Sequence, residues 1–117
     1  MISIAWEGSN LSEKPSLLPT AFVTYNDLSA LGLLDVLSRR GVQVPNDVSV
    51  VGFDNIPESA LTEPPLTTVD QSIQALGREA VRILVRLIND PGSSGEPTHT
   101  TLPTHLIVRR SCAPPRR

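Results

Sequence analysis

At 117 residues the chain can form one domain with a core of its own, so it needs neither a disulfide framework nor a structural metal to fold. Hydrophobic residues make up 39% and charged residues 19%, a balance that excludes extensive disorder, and aromatics at 3% require an aliphatic core. The net charge of −2 argues against a domain that grips nucleic acid by itself, the single Cys112 excludes an internal disulfide, and no apolar run approaches the roughly 18 residues of a membrane span.

The N-terminal stretch has neither a basic start nor a long apolar core, so no secretory signal is read there and a cytoplasmic location is expected. Residues 1–5 are short and apolar, compatible with a strand. Residues 7–18 are polar and contain Pro15, as loops do. The run 21–25 (Ala-Phe-Val-Thr-Tyr) is bounded by breakers and rich in strand formers. Asn26 or Asp27 then offers a side-chain oxygen to the free N–H groups of a helix that runs to about Arg40. Its apolar residues include Leu28, Leu31, Leu34 and Leu37, and Gly41 suits the stop.

Residues 48–53 (Val-Ser-Val-Val-Gly-Phe) read as a central parallel strand covered on both faces. An irregular loop with one helical turn at 57–61 leads to a short strand-forming run at 66–69. Asp70 or Ser72 is expected to cap a second helix, 73–88, with a stripe of Ile73, Leu76, Ala80, Val81, Leu84, Leu87 and Ile88. Arg78, Arg82 and Arg86 form its solvent face. A turn at 90–95, a strand at 105–109 and a polar tail at 112–117 complete the chain. Strands alternating with helices imply an α/β fold with a mainly parallel, layered sheet.

In such sheets ligands bind outside the carboxyl ends of the strands. Those ends carry Trp6, Asn26, Asp27, Asp54, Asn55, Asp70 and Gln71. Carboxylates accept hydrogen bonds and amides both donate and accept, which suits a ligand rich in hydroxyls or amides, and Trp6 is placed to stack on a flat face. Each residue has a plainer reading too: Asn26, Asp27 and Asp70 as caps, Asp54-Asn55 as a turn, and Trp6 as packing.

Enzyme motifs are missing. The sequence has no glycine-rich phosphate loop, CxxC, HExxH or GxSxG, and neither of its two histidines ends a predicted strand next to a nucleophile. No enzyme activity, metal or cofactor is expected; acid–base chemistry by Asp27 and Asp54 is the remote alternative.

Three segments in fixed order carry a more specific signal: PTAFVTYNDLSALGLLDVLSRRGVQVPNDVSVVGFDNIP, PPLTTVDQSIQALGREAVRILVRLI and LPTHLIVRRS. Together they resemble the C-terminal part of LacI/GalR-type transcription regulators, from Pro19 to Ser111. The resemblance implies the C-terminal lobe of a type I periplasmic-binding-protein-like domain, with effector bound in a cleft between two lobes. It implies a homodimer, and DNA read by a separate helix-turn-helix headpiece that is not within this sequence. Matched by motif, Asn26 of YND and Asp54 of GFDN are implied as effector contacts (the effector a sugar or nucleobase-like molecule) and Asp27 as the helix cap, while Trp6 remains a third candidate from its place at a strand end alone. Leu31, Leu34, Asp35, Leu61 and Pro65 fall at the family's dimer interface.

Residues 1–18 match least, because a dozen residues replace a full helix there, and residues 19–111 form the sensing lobe. Helix 73–88 corresponds to the family's hinge-crossing helix, which packs on the N-terminal lobe. Leaving its six larger apolar side chains wet would forfeit on the order of 10 kcal/mol, so it is expected to find its own sheet or a partner chain. A fragment of a sugar-type solute-binding protein with the same lobes is the alternative reading. A chain holding half of the cleft is expected to bind neither operator nor effector tightly.

Overall fold

The structure is a computed structural model that describes residues 19–90 and 99–115. The strand and loop expected over 1–18, Trp6 with them, and the turn beyond Asp90 lie outside the described residues. Strand β1 (Ala21–Val23), helix α1 (Asp27–Arg39), strand β2 (Ser49–Val51), a 3₁₀ turn (Pro57–Ala60), strand β3 (Thr68–Asp70), helix α2 (Ile73–Asn89) and strand β4 (His105–Ile107) follow in order.

Strands β1 and β2 pair in parallel, with Phe22 opposite Val50. A parallel bridge between Val51 and Thr67 carries the pairing across to β3. It continues through bonds from Gly52 N to Thr67 O and from Asp54 N to Val69 O, both 2.9 Å. Strand β4 then runs antiparallel to β3, with Val69 opposite Leu106. Strands β1, β2 and β3 therefore present their carboxyl ends on one rim, and β4 runs the opposite way. Ser111 stitches the lower part of the gap between β2 and β3. Its hydroxyl donates to Val50 O at 2.6 Å and accepts from Thr67 N at 2.8 Å.

Helix α1 begins at Asn26, whose Oδ1 accepts from Ser29 N at 2.8 Å. It stops as a glycine-ended helix does: Gly41, at φ 71°, donates to Ser38 O, and Val42 donates to Leu37 O, each at 3.0 Å. Its buried positions are Asp27, Ala30, Leu34 and Leu37. The expected row beginning at Leu28 is thus displaced, and Leu28 itself is 67% exposed. A strict three-residue repeat slips about 60° per step around a 3.6-residue helix, so only the 3–4–3 spacing keeps to one face.

The core comprises Ala30, Leu34, Leu37, Val42, Val48, Val50 and Leu66, with Phe22, Leu31, Leu33 and Val44 packed against it. Helix α1 packs against β2. On β2 Val50 is fully buried, Ser49 is 8% exposed and Val51 is half-buried, so both of its faces are largely covered, whereas Val23 at the end of β1 and Tyr25 just beyond it are 82% and 80% exposed.

For α2 one expectation fails and another narrows. Neither Asp70 nor Ser72 caps it. Ser72, at the N-cap position, lies in the left-handed region (φ 53°, ψ 48°) and makes no side-chain cap bond. Asp70 Oδ1 instead accepts from Ser72 N at 2.7 Å, which fixes a change of direction between β3 and the helix. Redirected there, α2 buries none of its residues, so the chain's own sheet is not the cover its stripe requires.

Candidate functional site

The rim residues form one connected set. A bond from Asp27 N to Phe53 O, 2.8 Å, joins the start of α1, just after β1, to the segment after β2. Asn26 and Asp54 are each the next residue from that bond, so the two candidates share one rim.

Asp27, expected as the cap, is instead a fully buried tie. Its Oδ1 accepts from Thr68 Oγ1 at 2.5 Å, and its Oδ2 accepts from Ile56 N at 2.9 Å. One carboxylate thereby links the start of α1 to the loop after β2 and to β3. The backbone of Gly52 passes so close that a Cβ there would collide with Asp27 Oδ1 and Leu66. Asn26 takes the capping role with its oxygen, and no described residue accepts from its Nδ2.

Asp54 and Asn55 stand at φ 114° and 56°, backbone that side chains other than glycine adopt at a cost. Asp54 N is held by Val69 O, and the Asp54 carboxylate accepts from Gln71 Nε2. Its second oxygen has no donor among the described residues. Asn55 Nδ2 donates to Asp70 Oδ2 at 3.3 Å. Asp54, Asn55, Asp70, Ser72, Ile73 and Arg78 line an open cleft of about 530 Å³ between the rim and the first turns of α2. Asn26 stands on the same rim but outside that cleft.

The arrangement offers hydrogen-bonding groups to a ligand. An unused Asp54 carboxylate oxygen at the cleft, with the unused Asn26 NH₂ farther along the same rim, matches a neutral molecule carrying several hydroxyls. Among the described residues no cluster of histidine, cysteine, aspartate or glutamate could hold a metal ion. No helix of the described residues is long and apolar enough to cross a membrane.

Of the expected interface residues, Leu61 is 83% exposed and Asp35 is exposed in a 2.8 Å pair with Arg39. Leu31 and Pro65 are half-buried. Leu34, 8% exposed, belongs to the chain's own core, because it lies on the 27–30–34–37 face rather than beside Leu31. Sequence reasoning missed Arg109 and Thr68. Both lie in strand-like surroundings with no turn signal, and only the packing of the rim reveals them. It also took Arg78 for part of a solvent stripe, although Arg78 lines the cleft.

Comparison with known proteins agrees with this fold. The chain matches the family of periplasmic binding protein-like domains over residues 2–112, a span that takes in most of the first 18 residues. It is 40% identical over 94 residues to the HTH-type transcriptional repressor PurR of Actinobacillus pleuropneumoniae, covering 80% of this chain and 28% of that protein. It is 42% identical over 95 residues to the HTH-type transcriptional repressor MelR of Bacillus subtilis, covering 81% and 27%. A LacI family transcriptional regulator from Enterococcus faecalis, solved with bound ribose, superposes with a TM-score of 0.81 at 34% identity, covering 91% of this chain and 39% of that one. The chain thus spans less than a third of the length of these two curated relatives.

Proposed function

The chain belongs to the family of periplasmic binding protein-like domains, in the form that LacI-type regulators carry, and from that premise we propose that it is the effector-sensing and dimer-forming portion of such a regulator. The observation that carries this reading is the shared rim. Asp54 and Asn26 are joined through the Asp27–Phe53 bond, beside a cleft lined by hydrogen-bonding groups.

In this reading the free oxygen of Asp54 accepts from a ligand hydroxyl, and Asn26 Nδ2 donates to a second oxygen. Trp6 is a third contact, stacking on the ligand's face. The ligand is a sugar or a nucleobase-like molecule; the ribose-bound regulator supports the first. Leu31, Asp35, Leu61 and Pro65 form the face that meets a second copy, with Leu61 as its most exposed apolar member. Operator DNA is met through a headpiece in the rest of the regulator, in the cytoplasm. Effector binding favours one arrangement of the lobes, and the resulting population shift changes the spacing of two headpieces.

Calorimetric titration of the chain with ribose, glucose and adenine tests the proposal. One of these ligands is expected to bind in the millimolar range, as half of a cleft should, and Asp54→Asn is expected to abolish the heat by removing a charged acceptor. Sub-micromolar binding would overturn the half-site reading. Equal binding by wild type and Asp54→Asn would overturn the role of Asp54.

A further inference from the structure

Arg109 has no part in the reading above, yet its side chain reaches the rim at Asn55 and the following loop at Ser59 and Leu66. The guanidinium is half-buried and donates through Nη2 to Asn55 Oδ1 at 2.7 Å. Through Nη1 it donates to Leu66 O at 2.7 Å and to Ser59 Oγ at 3.0 Å. Its backbone N–H is separately anchored on Thr67 Oγ1 at 2.9 Å.

Beyond Asn55 the hydrogen bonds continue. Asn55 Nδ2 donates to Asp70, and the other oxygen of Asp70 accepts from Ser72 N. Three residues on or beside this path, Asp54, Asn55 and Ser72, have positive φ. Such backbone persists only where its surroundings hold it. Asp54 and Asn55 make the turn that aims the carboxylate, and Ser72 starts the helix that walls the cleft.

We infer that Arg109 is a positioning residue for the ligand site: its guanidinium holds Asn55, and so fixes both the aim of the Asp54 carboxylate and the point where α2 leaves β3. Arginine is required because one planar head must donate in separate directions at once. An ammonium group at the end of a lysine is a single point and cannot span the same acceptors. The loop that the guanidinium also grips, at Ser59 and Leu66, contains Leu61 and Pro65. The same residue therefore ties the site to the proposed dimer face. The inference rests on the proposed function only in taking Asp54 as a ligand contact; the bracing itself does not depend on it.

The test is amide hydrogen exchange by NMR on the whole chain, with wild type, Arg109→Lys and Asn55→Gly. In Arg109→Lys, exchange at Asp54, Asn55 and Ser72 is expected to speed at least tenfold, and the Asn55 side-chain amide signals are expected to shift. The amides of Ala30 and Leu37, inside α1, should stay as slow as in wild type. Asn55→Gly suits the φ of 56° and leaves Arg109 its bonds to Ser59 and Leu66, so it should speed Ser72 while sparing α1. Unchanged exchange at Asn55 and Ser72 in Arg109→Lys would overturn the inference. So would a uniform acceleration that includes Ala30 and Leu37, because Arg109 would then serve the whole fold. A ribose titration forms the second arm. Tenfold weaker binding by Arg109→Lys supports the inference, and equal binding by both proteins overturns it. If wild type fails to bind any member of the panel, the proposed function fails while the exchange result still decides the bracing.

Discussion

Removing the Asp27 carboxylate should be among the most damaging single changes to this chain. The group is fully buried and accepts two hydrogen bonds, from Thr68 Oγ1 at 2.5 Å and from Ile56 N at 2.9 Å. Bonds to a charged acceptor contribute about 1.5–3 kcal/mol each. Asp27→Ala deletes both and leaves a hydroxyl and an amide without their acceptor, so the expected loss is about 3–5 kcal/mol. That is a large share of the roughly 5–15 kcal/mol that holds a typical domain together. Asp27→Asn discriminates between lost bonds and lost volume. Its amide oxygen can face Ile56 N while its NH₂ faces Thr68, whose hydroxyl turns to accept, so the expected loss falls to about 1–2 kcal/mol. Urea titration followed by circular dichroism measures both. An alanine variant within about 0.5 kcal/mol of wild type, the usual range for an ordinary surface change, would refute the reasoning. So would an asparagine variant as unstable as the alanine one.

Asn26→Ala should lose about 1 kcal/mol with its helix cap, whereas Asn26→Asp should keep the cap and lose ligand binding, since its side chain no longer donates; thermal melts and calorimetry separate the two. The exposed stripe of α2 should drive association. Sedimentation over a dilution series is expected to show species larger than a monomer that Leu84→Asp disperses, and a monomer at every concentration would contradict this. The hydrogen bonds from Arg82 hold the Glu79 carboxyl below the usual range, with Thr100 and Arg86 adding to the effect. A lowered folded value means that the contribution is present above the unfolded value and is lost as the pH falls through the folded one. Arg82→Gln should therefore raise the Glu79 titration toward the ordinary carboxylate range, as read by carbon NMR of the side chain.

The sequence was most legible where one local signal sufficed. Gly41 ended α1 as its position suggested, the apolar run at 48–53 became the inner strand β2, and the turn after Ile56 formed where Pro57 allowed it. It was least legible where two neighbours competed for one role. Asn26 and Asp27 both suit a cap, and the choice was made by burial: Asp27 falls on the inward face of α1, where Thr68 and Ile56 await it. The reversal of β4 has no local signature, since a strand's direction is set by its partner. Arg109 stayed hidden for the same reason. Nothing adjacent in sequence marks it, and its partners Asn55, Ser59 and Leu66 lie 54, 50 and 43 positions away.

The most direct test of the account is a map of amide shifts in the nitrogen-15-labelled chain as ribose, glucose and adenine are added in turn. The account predicts that a ligand which binds moves Asn26, Asp54, Asn55 and Gln71 together, along one saturation curve, and leaves the outer turns of α1 still. A binding ligand that moves residues elsewhere while Asn26 and Asp54 keep their positions would contradict it.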